Sequence, residues 1–284
     1  MGFCPVNQII TGISRTSIET AACPNLIASM ESSNLRLGKA FGIEILLHWS
    51  FFLIPLIIIW LSVQQGDSAG LTAVRLVLLV LILACVLWHE LGHALMARAF
   101  GIPTRDILLT PVCGLARLAR APETPGQEIA VALAGPLANG LVAVVAGLAA
   151  WGQGRALLTL HDPLDLQLLP AIFQVNLALC VLNLVPIFPM DGGRVLRALL
   201  AIRLPPARAT HLAARTGQAG SLLVMAGGLV WLNPALLIIG VFLLIAAQQE
   251  IRWNRLEWFE ETGAERPPGA ASPDPAELRK SGHR

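Results

Sequence analysis

Six apolar stretches organise this chain. Ile43 to Val63 is almost uninterrupted apolar sequence, and Leu71 to Phe100 is a second long run, polar only at its start and around positions 89–93. Ile129 to Trp151 and Leu166 to Ile187 follow, the latter carrying Asn176 and Asn183. Each of these four is long enough for a helix that crosses a hydrocarbon layer of about 30 Å. Ala219 to Leu232 and Pro234 to Ala247 are shorter than the roughly 20 residues of a straight crossing, with Asn233-Pro234 breaking the pattern between them. They read as two short helices or one kinked one. Thr104 to Arg120 is short, proline-interrupted and partly apolar, and suits a small re-entrant, β-like hairpin or an ordinary loop.

Composition agrees with a multi-pass α-helical membrane protein, since 55% of the 284 residues are hydrophobic and only 13% charged. Charge placement sets an expected orientation, because cytoplasmic loops collect Lys and Arg. Arg105, Arg117 and Arg120 follow the second run, and Arg194, Arg197, Arg203, Arg208 and Arg215 follow the fourth. The opposite connections hold Asp67, and Arg155 balanced by Asp162 and Asp165. With the basic tail also inside, about six spans and two cytoplasmic termini result. Lysine is scarce beside arginine and tyrosine is absent, while Ala and Leu abound, which suggests a GC-rich bacterium, hence its inner membrane. No basic patch points to nucleic acid.

Residues 1–40 are polar and aperiodic, without a cleavable signal pattern, and read as a flexible arm; Met30 is an alternative start. Residues 41–250 form the membrane domain, and 251–284 a largely disordered cytoplasmic tail rich in Pro, Ala and charge. Five cysteines lack metal-ligand spacing; Cys85 and Cys180 fall in spans as small packing residues, and no disulfide framework is indicated.

The chemistry lies in His89-Glu90-Leu91-Gly92-His93, inside the second run. Histidines four apart share one face of a helix and reach one zinc ion, while the glutamate between them handles protons. Ionisable groups at such depth are costly and mark function. A hydrolytic zinc takes three protein ligands, so one is missing. Asp191, in Asn183-Leu184-Val185-Pro186-Ile187-Phe188-Pro189-Met190-Asp191-Gly192, has the right chemistry, and the charge pattern puts it at the same membrane depth. Its bland alternative is a helix cap after a proline stop. His48 beside Trp49 reads as an interfacial anchor, and Asn176 as an interhelical hydrogen-bonder.

With Gly135-Pro136-Leu137-Ala138-Asn139 between them, these motifs resemble the site-2 protease family of intramembrane metalloproteases, in its compact form without a peptide-binding or nucleotide-sensing domain. The resemblance covers about 41–247. It implies one zinc per chain on His89, His93 and Asp191, Glu90 as catalytic base, and substrate contacts at Asn183, Asn139 and the loop residues Cys113 and Gly114. Where family members often carry Gly-Gly, this chain has Pro111-Val112-Cys113-Gly114. Implied partners are transmembrane substrates such as anti-sigma factors, membrane-bound transcription regulators or remnant signal peptides, with any regulator a separate protein. Two alternatives stand beside this: a zinc-binding membrane adaptor or chaperone without proteolysis, and another multi-spanning zinc peptidase taking its third ligand from a downstream glutamate, of which Glu250 is the first past the fourth span.

Overall fold

In the computed structural model, residues 34–111, 114–157 and 168–262 are described, with side chains up to residue 248. Strands β1 (Asn34–Ala40) and β2 (Ile43–His48) form an antiparallel hairpin about Phe41-Gly42, both at positive φ. A 3-10 turn, Trp49–Phe52, leads into α1 (Leu53–Gln65), and α2 (Ala69–Ala99) carries the His89 to His93 motif. Strands β3 (Thr104–Leu109) and β4 (Gly114–Leu118) follow, then α3 (Pro125–Gly152), α4 (Leu168–Leu184), α5 (Asp191–Ala201), α6 (Pro206–Val230) and α7 (Pro234–Thr262).

The sheet order is β1-β2-β3-β4, with β2 and β3 parallel and β3 and β4 antiparallel. Alternate residues Ile43, Ile45 and Leu47 of β2, and Ile107 and Leu109 of β3, face one way. They pack with Leu91 and Ala94 of α2, flanked by Leu83, Val86 and Leu87. The sheet is thereby pressed along the α2 turns that bear the motif.

Three expectations need correction. The first apolar run is not one spanning helix: its first six residues are β2, and only its end, from Leu53, lies in α1, a helix of 13 residues. A six-residue run with one buried face has no periodicity to separate it from helix, and the hairpin at Phe41-Gly42 claims it. Residues 34–40 leave the expected flexible arm to pair with β2, and the last helix runs on to Thr262, into the expected tail. The rest of the arm and tail lie outside the described residues. The fifth and sixth apolar stretches are two helices, α6 and α7, the first of the two readings the sequence left open, each lengthened by polar residues.

Among the described residues, α2 with 31 and α3 with 28 residues are long and apolar enough to cross a membrane. At helical rise they measure about 46 and 42 Å. Thr104 to Arg120 is the β3–β4 hairpin, so its strand character holds. Polar groups between helices find partners: the Asn176 amide donates to Cys85 Sγ across α4 and α2 at 3.1 Å, as expected of an interhelical asparagine. His48 Nδ1 accepts from the Ser50 backbone and lies 2.6 Å from its hydroxyl, capping the 3-10 turn.

Candidate metal centre

Helical spacing alone puts His89 and His93 on one face of α2, and their Nε2 atoms are 3.1 Å apart. The third group comes from a break in the chain. Helix α4 stops at Leu184, the Pro186 and Pro189 segment runs irregularly, and α5 starts at Asp191. Gly192 and Gly193 sit against the backbone of residues 184–188 so closely that a Cβ on either would collide with it. The Asp191 carboxylate therefore approaches the histidines: Oδ2 lies 3.0 Å from His89 Nε2 and 3.2 Å from His93 Nε2. The capping reading fails, because Met190 holds the cap position and the carboxylate turns inward.

His89 and Asp191 are 6% and 9% exposed, so three donors converge out of water. His93 Nδ1 lies 2.7 Å from the Val131 carbonyl, which only accepts; its proton therefore sits on Nδ1 and its Nε2 offers a lone pair inward. Two imidazole nitrogens and a carboxylate oxygen facing one another at 3.0–3.2 Å suit a shared cation. Such a triangle suits bonds of about 2.0–2.2 Å to zinc with a fourth position open. The residues fit the metal that the sequence implies, and these three donors form the described His/Cys/Asp/Glu group able to hold one. Position 250 falls inside α7, beyond the described side chains.

Glu90, 9% exposed, turns from the ligand face toward the sheet. Its Oε2 accepts the Ala116 N–H of edge strand β4 at 3.0 Å. A Cβ on Gly114 would stand 2.6 Å from Glu90 Cγ, so the strand passes over the carboxylate only because position 114 is glycine. On the other side α3 closes against the ligands. Gly135 faces both imidazoles, and Asn139, fully enclosed, has its amide nitrogen 3.3 Å from His89 Nδ1. Helices α3 and α5 are further joined by Arg197, whose Nε donates to Glu128 at 2.8 Å.

The structure thus unites His89, His93 and Asp191, and stacks Gly114 on Glu90. Asn139 meets a ligand histidine rather than a face open to substrate. Asn183 donates to the Leu179 carbonyl one turn back, and no hydrogen bond among the described residues joins it to the trio. Cys113 lies outside the described residues. Sequence reading missed Val131, Ala116 and the Glu128–Arg197 pair. Two of these act through backbone atoms, which residue identity does not advertise. For Val131 a signal existed: 131, 135 and 139 repeat at four-residue spacing, matching 93 and 89 on the antiparallel helix.

The model of peptidase family M50 matches residues 77–159 and 166–225. A zinc metalloprotease of Methanocaldococcus jannaschii is 33% identical over 229 residues, covering 79% of this chain and 62% of that protein. Stage IV sporulation protein FB of Bacillus subtilis is 30% identical over 188 residues, 65% of this chain and 62% of its own length. The chain thus spans about three fifths of these relatives. The solved structure of the site-2 protease from Methanocaldococcus jannaschii superposes with a TM-score of 0.58 at 33% identity, covering 77% of this chain and 95% of that one. With the matched segments containing all three candidate metal ligands and Glu90, the chain belongs to peptidase family M50, the site-2 protease family of zinc metalloproteases.

Proposed function

We propose that this protein is an intramembrane zinc endopeptidase that cuts transmembrane segments of membrane-tethered proteins. The observation that carries the reading is Glu90: a site that merely stored zinc needs no carboxylate between its ligands, held on a strand edge beside them. The adaptor reading leaves that arrangement without a purpose.

His89, His93 and Asp191 would hold a zinc ion, which when bound would supply Lewis acidity toward the scissile carbonyl and the attacking water. Glu90 takes the proton of the attacking water and passes it to the leaving amine nitrogen. Burial of the ligands strengthens each of these electrostatic contacts.

A substrate helix must first unwind, because its peptide groups are otherwise hydrogen-bonded to one another. Strand β4 pairs with β3 on one edge, and its Ala116 N–H points from the other to Glu90. An unwound segment added along that free edge passes the catalytic base, as in strand-addition recognition. His89 lies ten residues from the C-terminal end of α2, about 15 Å at helical rise. With the arginine-rich connections after α2 and α4 on the inside, the site faces the cytoplasm of a bacterial inner membrane, and the cut falls in the cytoplasmic half of the substrate. Membrane-bound regulators, anti-sigma factors and remnant signal peptides are substrates of this kind, and a separate protein supplies any regulation.

The test is Glu90→Gln beside Asp191→Ala in the purified full chain, with a tethered transmembrane substrate. Glu90→Gln keeps its zinc and loses at least about 100-fold in cleavage, whereas Asp191→Ala loses the zinc. Mass spectrometry of the product places the cut. Robust turnover by Glu90→Gln, or full zinc in Asp191→Ala, overturns the assignment.

A further inference from the structure

His89 and His93 present Nε2 to the same point, so each must carry its proton on Nδ1 when a metal is bound. For His93 the Val131 carbonyl, 2.7 Å away, enforces this. For His89 the partner at Nδ1 is Asn139, whose side chain is completely enclosed. As placed, the Asn139 amide nitrogen faces Nδ1 at 3.3 Å while its Oδ1 is buried without a partner. Two N–H groups would then oppose each other once His89 binds through Nε2. Turning the amide by half a revolution brings Oδ1 to Nδ1, supplies the acceptor and ends the isolation of that oxygen.

We infer that Asn139 is a positioning residue for the metal, its Oδ1 accepting the His89 Nδ1–H and fixing the ring tautomer, with Val131 doing the same for His93. One stripe of α3 at four-residue spacing thus serves both ligands: Val131 for His93, Gly135 as clearance for the two rings, Asn139 for His89. The inference rests on the zinc site proposed above and extends it from the ligands to the helix behind them.

The test is the zinc dissociation constant of purified full-length protein, measured by chelator competition, for wild type, His89→Ala, Asn139→Leu and Asn139→Asp. Asn139→Leu keeps the branched shape but is larger and has no acceptor, and weakens zinc by about 10- to 100-fold, the usual loss on removing such a partner, while Asn139→Asp stays within about threefold of wild type or binds more tightly. Rescue by aspartate separates an acceptor from a packing role, since a buried carboxylate without a donor would be the worse substitution. Asn139→Leu with wild-type affinity, or Asn139→Asp no better than Asn139→Leu, overturns the inference. If Asn139→Leu fails to fold, Asn139→Asp decides alone, wild-type affinity supporting the acceptor and its loss refuting it. Wild type and His89→Ala taking up zinc alike would instead refute the metal site itself.

Discussion

Gly135→Ala separates the cost of crowding the ligands from every other effect of a methyl group in α3. A Cβ at this position would lie 2.6 Å from His93 Cε1 and 2.8 Å from His89 Nε2, and would collide with His93 Nε2. Ordinary contact begins at 3.4 Å, so the rings or the helix must retreat by more than about 0.8 Å, several times the roughly 0.2 Å tolerance of a metal–ligand bond. Intrinsic preference acts in the opposite direction, as alanine favours a helix interior over glycine by about 1 kcal/mol. Overpacking of this kind costs about 1–3 kcal/mol, and a penalty felt in the metal-bound state weakens zinc by about 5- to 150-fold. Gly140→Ala is the internal control: five residues on, its Cβ would meet only Cys180 Sγ, at 3.4 Å. We expect Gly140→Ala to keep zinc and activity, and Gly135→Ala to release zinc to a chelator and to lose cleavage in proportion. Gly135→Ala holding zinc as tightly as wild type would refute the close approach of α3 to the ligands.

Ala116→Pro deletes the N–H that Glu90 accepts; since that N–H points away from β3, and proline is tolerated on edge strands, the variant should fold and retain zinc while cleavage falls at least about tenfold. Equal activity would remove β4 as the support of the base. Glu128→Gln and Arg197→Met each break the pair joining α3 to α5, with side chains 12% and 22% exposed, and should each lower thermal stability by about 1–3 kcal/mol. The double exchange Glu128→Arg with Arg197→Glu should recover part of that loss, and a double variant no better than the singles would show that the pair does not couple the helices.

The parts of the site that were legible in the sequence are those whose geometry is set by covalent spacing. His89, Glu90 and His93 need only the pitch of one helix, and Asp191 needs only a chain break at the right depth, which Pro186 and Pro189 announce. The hairpin at Thr104 to Arg120 was legible for the same local reasons. Strand β2 was not: Ile43–His48 is as apolar as the helix after it, and only its pairing with β1 and β3 distinguishes it. The signal present was Phe41-Gly42, a turn requiring positive φ at both positions. Asn139 was picked out for the wrong neighbour. Its motif drew attention, but which helix it faces depends on the antiparallel register of α2 and α3, which no single segment encodes.

That register also settles how the work is divided around the metal. Helix α3 occupies one flank of the histidines through Val131, Gly135 and Asn139, and α5 brings Asp191 to a second. Both flanks are helices, joined to each other through Glu128 and Arg197. Glu90, next in sequence to His89 and turned by about 100° on the helix, faces the remaining direction, where β4 runs. On the proposed reading, substrate therefore enters on the strand side, where among the described residues β4 is the last strand of the sheet. A helix there would offer no hydrogen bonds to an unwound peptide, because its own amides are already used. On that reading the sheet, the least expected element of a chain so rich in apolar helices, would supply the backbone edge that a peptide substrate needs beside a site enclosed by them.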